Sequence, residues 1–128
     1  MEKGLEKINS AIDPDILKAF HAMWDIFPSP VLLLRKDRTI LDCNQTATAL
    51  GVRPGMKCFQ LSGDTGIHNL CLGNEALEQG VAKRSVVYSP ARKQVLDSYW
   101  LPLGQGDLFV HFGIDITEYA KPELFPET

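Results

Sequence analysis

The sequence predicts one α+β domain, and three observations carry that expectation. A helical apolar pattern near the N-terminus precedes every strand-like segment. Two short apolar runs around a charged turn come next, followed by a glycine-broken stretch with room only for brief helices. Three longer runs rich in branched and aromatic residues close the chain. The order is helix, β-β, short helices, β-β-β. A chain of 128 residues makes one domain burying roughly two thirds of its unfolded surface, with no room for a second.

Residues 1–12 form a polar lead-in in which Leu5, Ile8 and Ile12 recur at helical spacing. The domain is expected over residues 13–119. Asp13-Pro14-Asp15 starts a helix: Asp13 as N-cap, Pro14 in the first turn, Asp15 favouring the helix dipole. Ile16, Phe20, Met23, Trp24 and Phe27 then make one apolar face, and Pro28 and Pro30 stop it. That face is predicted to pack on the domain's own sheet; a helix-to-helix dimer contact is the compatible alternative. Val31–Leu34 and Thr39–Cys43 read as a hairpin around Lys36-Asp37-Arg38. Asn44 caps a short helix through Thr46, Ala47 and Leu50, stopped by Gly51. From Arg53 to Gly73 the chain is irregular, and Asn74–Glu78 adds a helical turn or two before Gly80. Val81–Ser89, Gln94–Leu103 and Leu108–Ile116 are the closing strands, joined by the turn Pro90-Ala91-Arg92-Lys93 and the loop Gly104-Gln105-Gly106-Asp107. Residues 120–128 read as a C-terminal tail or truncated linker, because Pro122 and Pro126 prevent a long continuous helix.

Composition narrows the function classes. A net charge of −3 disfavours nucleic acid, since phosphate binding needs a basic face. No apolar run approaches the roughly 20 residues of a membrane span, and the N-terminus lacks a signal-peptide core. Three widely spaced cysteines do not form a disulfide framework, so a reduced cytoplasmic setting is the simplest reading. No nucleophile stands with its base and orienter at recognisable spacing, and Gly63-Asp64-Thr65-Gly66 reads as a turn, so no enzyme activity is expected.

The order of elements and several short motifs together resemble the PAS sensory family. Phe27-Pro28-Ser29-Pro30-Val31 looks like the entry to that family's first strand. Asp37-Arg38-Thr39-Ile40 sits where Asp-Gly-x-Ile is common, and Arg38 in place of glycine implies a different turn, since glycine tolerates positive φ and arginine does not. Asn44-Gln45-Thr46-Ala47, Gly55-Met56-Lys57-Cys58 and Ala76-Leu77-Glu78-Gln79-Gly80 follow in the family's order, and Asp115-Ile116-Thr117-Glu118 completes the set. The match spans Met23 to Tyr119. It implies a five-stranded antiparallel sheet whose short helices cover one face to form a pocket, with the N-terminal amphipathic helix or a second subunit on the other. It further implies a homodimeric sensory input for a histidine kinase, cyclic-di-nucleotide enzyme or transcriptional regulator, in the same or a partner protein.

The expected ligand contacts follow from strand alternation and that resemblance. Phe109, His111 and Gly113 share one face of the last strand, and family analogy turns the Gly113 face to the pocket. His111 is the main candidate for contact with a small ligand, with Tyr99 on the adjacent strand as its partner and Trp100 on the opposite face. The alternative for His111 is a core imidazole satisfied by a backbone carbonyl. Cys58, Leu61 and Leu77 complete the predicted lining. Phe59, Leu61, Leu77, Tyr99 and Phe109 would instead fill the interior of a ligand-free dimerisation module.

Flavin is disfavoured, because Leu96–Leu103 contains no Asn and Gly113 replaces the glutamine of the flavin-binding members. Each unmade bond to the ring would cost about 1–3 kcal/mol. His68 and Cys71, with Cys58 upstream, are weak candidates for zinc or haem iron. Three clustered ligands fall short of a structural zinc site, so a solvated histidine and a buried cysteine are the simpler assignment. Asp115, Thr117 and Glu118 form the expected signal exit, with Thr117 capping the outgoing segment and Asp115 pairing at the junction.

Overall fold

The computed structural model describes residues 12–62, 66–67, 70–104 and 106–126. The expected helical lead-in lies outside these residues except Ile12, which is buried with the apolar residues of the following helix.

That helix, α1 (Pro14–Trp24), begins as the sequence dictates: the Asp13 carboxylate accepts from the Asp15 amide at 2.9 Å. It ends at Trp24 rather than running to Pro28, so Phe27 lies beyond it. At that end the Asn44 side-chain amide donates to the carbonyls of Trp24 (2.9 Å), Ser29 (3.0 Å) and Phe27 (3.3 Å). The first satisfies the carbonyl of the last helical residue, and the other two hold the segment that follows. The Asn44 carbonyl oxygen accepts from Val31 and Ala47, both at 3.0 Å. One buried amide thus joins the end of α1, the start of β1 (Val31–Arg35) and the start of α2 (Gln45–Ala49).

β2 (Ile40–Cys43) pairs with β1 across a turn. After α2 come a 3₁₀ turn (Cys58–Ser62) and α3 (Gly73–Gln79), which Gly80 ends in the left-handed conformation at φ 66°. β3 (Lys83–Ser89), β4 (Gln94–Pro102) and β5 (Leu108–Asp115) complete one antiparallel sheet of order β2-β1-β5-β4-β3. The last strand in sequence is therefore the central one, bonded to β1 on one side and β4 on the other.

Alternation along the strands separates two cores. Leu32, Leu34, Trp100 and Phe109 face inward with Ala47, Val52 and Ala76 from the helical side. Val31, Leu33, Leu108, Val110 and Phe112 face the other way and meet Ile16, Phe20, Trp24 and Phe27. The helix stripe is thus spent mainly on the domain's own sheet, as expected. Met23, counted in the same stripe, is the exception at 69 % exposure, and Ile26 just past the helix is 91 % exposed.

Candidate functional site

The short helices cover the inner face of the sheet incompletely and leave a cavity of about 510 Å³. Leu96, Ser98 and Trp100 of β4 and His111 and Gly113 of β5 form its sheet wall. Leu32, Val52, Cys58 and Leu61 close it from β1 and the helical side, and Pro90, Ala91 and Arg92 of the β3–β4 turn stand at its edge.

Cross-strand register fixes the wall. His111 lies opposite Trp100, and their rings stack at 4.9 Å between centroids and 13° between planes. His111 Nδ1 is 2.8 Å from the Tyr99 carbonyl oxygen. A carbonyl only accepts, so the proton sits on Nδ1. Gly113 lies opposite Ser98, and a Cβ there would come within 3.3 Å of the Ser98 hydroxyl. The missing side chain gives the cavity depth at that point.

Of the predicted contacts, Cys58, Leu61, His111 and Gly113 line the cavity. Phe109 and Leu77 belong to the inner cluster without lining it. Tyr99 is a correction. Its ring lies on the outer face, stacked on Phe112 at 5.0 Å, with its hydroxyl donating to Asp97 at 2.9 Å. Only its carbonyl serves His111, and Trp100 takes the inward position expected for Tyr99. The error is a one-residue register shift, which moves every side chain of a strand to the opposite face.

Arg38 is a second correction, since its turn conformation was expected to differ and its burial was not foreseen. Only 2 % exposed, it sits at φ 72°, so arginine adopts the left-handed turn that the sequence reading reserved for glycine. The contacts of its guanidinium offset the backbone cost: it donates to Asn74 Oδ1 at 3.2 Å, to Cys71 Sγ at 3.5 Å and to the Lys36 carbonyl. It also lies 5.2 Å from the centre of the Phe109 ring. Gly73 is what admits it, since a Cβ there would stand 2.8 Å from Arg38 Nη2.

His68 lies outside the described residues, and Cys71 is engaged by Arg38. Burial, reinforced by neighbouring Cys71, pushes the Cys58 thiol up to about 12, so it stays protonated at neutral pH. Among the described residues no group of three His, Cys, Asp or Glu side chains is placed to hold a metal ion. No amide side chain of the described residues lines the cavity, so a flavin ring would find no Asn or Gln there for its polar edge.

At the end of β5, Asp115 pairs at the junction, and the Thr117 side chain turns back toward the sheet instead of capping the outgoing segment. Asp115 Oδ1 accepts from the Thr117 amide at 3.0 Å and turns the chain into a 3₁₀ turn over Thr117–Tyr119. The Thr117 hydroxyl faces back to the sheet, donating to Asp115 at 2.5 Å and accepting from the Val95 amide at 3.0 Å. Asp115 braces the start of the turn, Thr117 ties it to β4, and Glu118 is exposed.

Solved structures share this architecture. A domain of an HTR-like protein from Haloarcula marismortui aligns with a TM-score of 0.53 at 24 % identity, over 70 % of this chain and 99 % of that one. A sensory box sensor histidine kinase from Vibrio cholerae aligns at 0.58 and 14 % identity, over 85 % and 94 %. An RNA-binding light-oxygen-voltage receptor aligns at 0.56 and 17 % identity, over 85 % of this chain and 34 % of that one. No family model matches the sequence, and the search of curated proteins finds no match. The chain has the PAS fold.

Proposed function

We propose that this chain is a sensory input domain that binds a small molecule between its sheet and its short helices and acts by controlling an effector. The observation that carries this reading is the cavity of about 510 Å³, a volume typical of small-molecule sites, walled by apolar side chains and a few placed polar groups. The likeness to a sensor histidine kinase supports a signalling role. In this reading the domain is cytoplasmic and non-enzymatic, and occupancy biases β5, whose end at Asp115 and Thr117 passes the change onward. A ligand shifts such an equilibrium only by its differential affinity for the two states.

Native mass spectrometry of the purified protein tests the reading. A small molecule retained under native conditions and lost on denaturation is the expected result. A bare mass, with no melting shift across a diverse ligand screen, would sink it. A second reading, a homodimerisation module without ligand, is favoured by the exposure of Met23 near the end of α1 and of Ile26 just past it. It predicts a dimer that Met23→Glu dissociates while the cavity stays empty.

A further inference from the structure

We infer that the cavity selects a flat, mostly apolar molecule carrying a single carboxylate, with Arg92 receiving the charge; this rests on the ligand-binding reading above. Three features converge. First, no Asp or Glu of the described residues lines the cavity, whereas Arg92 and His111 do. An ammonium ligand would therefore be desolvated with no counter-charge.

Second, Arg92 is exposed at the cavity's edge and forms no ion pair among the described residues. Arg84 and Arg35, by contrast, are paired with Asp97 and Asp37. Its turn is held by the Lys93 amide donating to the Ser89 carbonyl at 2.8 Å, with Lys93 at φ 56°. A guanidinium offered from a defined turn suits bidentate carboxylate binding. One arginine matches one negative charge.

Third, the stacked His111 and Trp100 rings are within 13° of parallel and bordered by Leu32, Leu61 and Leu96, which suits a planar apolar body.

The probes are 2-naphthoate and its neutral isostere 2-naphthamide, titrated calorimetrically into the full chain and into Arg92→Gln, with the His111 ring resonances recorded by NMR. Naphthoate is expected to bind about tenfold more tightly than the amide, the step a single charge-assisted contact supplies. It should shift the His111 signals, and the preference should fall to within about twofold in Arg92→Gln. Equal binding of the two probes, or a preference that survives Arg92→Gln, overturns the anion selection while the cavity remains a binding site. Naphthoate binding without a His111 shift places the anion elsewhere and overturns it as well. Binding of neither probe overturns the anion proposal, while the ligand-binding reading stands or falls on the native mass spectrum.

Discussion

Arg38 occupies a backbone conformation that costs a non-glycine residue about 1–2 kcal/mol. Glycine would remove that cost and also every contact of the buried guanidinium. Since each lost bond to a charged group is worth about 1.5–3 kcal/mol, Arg38→Gly should lower stability by about 1–3 kcal/mol in urea denaturation. A more stable variant would show that turn strain outweighs the contacts. Gly73→Ala pushes a methyl against Arg38 and Phe109 and should cost about 1–3 kcal/mol by overpacking. In a double-mutant cycle part of that cost should disappear once Arg38 is glycine. A charged residue in Lys36-Asp37-Arg38 reads naturally as solvated, and nothing local marks it as buried. Its partners Cys71 and Asn74 lie more than thirty positions away, so the sequence pattern carries the turn and loses the contact.

Among the elements, α1 is held to the sheet edge by more than its apolar stripe. His21 places Nδ1 2.7 Å from Asp25 and Nε2 2.7 Å from Asp42, linking helix to β2. Desolvation lowers the His21 pKa, but the hydrogen bonds and charges of both carboxylates outweigh it, and the net direction is upward from 6.5. Folding therefore favours the protonated ring. The clamp is fully present below pH 6.5 while Asp25 and Asp42 stay ionised, and it is lost as pH rises through the raised value. The imidazole is 40 % exposed, so solvent moderates the effect. The melting temperature of the wild type minus that of His21→Gln should be positive at pH 6 and shrink steadily toward pH 9. A difference independent of pH would show that the two hydrogen bonds do not depend on charge. The helix itself was legible from Asp13, Pro14 and its apolar spacing, but its end was not. Pro28 marked a limit, whereas the helix stops at Trp24, whose carbonyl is bonded by Asn44 twenty positions away.

For the whole molecule, the element order and antiparallel sheet were legible because period-2 runs and glycine punctuation are local signals. The register between β4 and β5 is non-local, and that is where Tyr99 and Trp100 were exchanged. The exit from β5 shows the same division: Asp115 and Thr117 stood out in sequence, but the bond to Val95 depends on which strand lies alongside. Thr117→Val should leave the Val95 amide without its side-chain acceptor and cost about 1 kcal/mol, with Thr117→Ser recovering most of it. Hydrogen exchange at Val95 should accelerate in the valine variant more than at Leu33. Equal protection at both amides in all three proteins would mean that the tie does not hold the end of the sheet.

β5 is a wall common to both cores, with Phe109, His111 and Gly113 turned to the cavity side and Val110 and Phe112 turned to α1. The two tryptophans of the chain fall on opposite sides of it. Trp24 lies 5.2 Å from the Phe112 ring in the outer cluster, and Trp100 is stacked on His111 in the inner one. Each core therefore contains one indole. With either indole replaced by phenylalanine, the emission of the other reports on a single side of the sheet, so events at the cavity and at the helix can be timed separately without an added label.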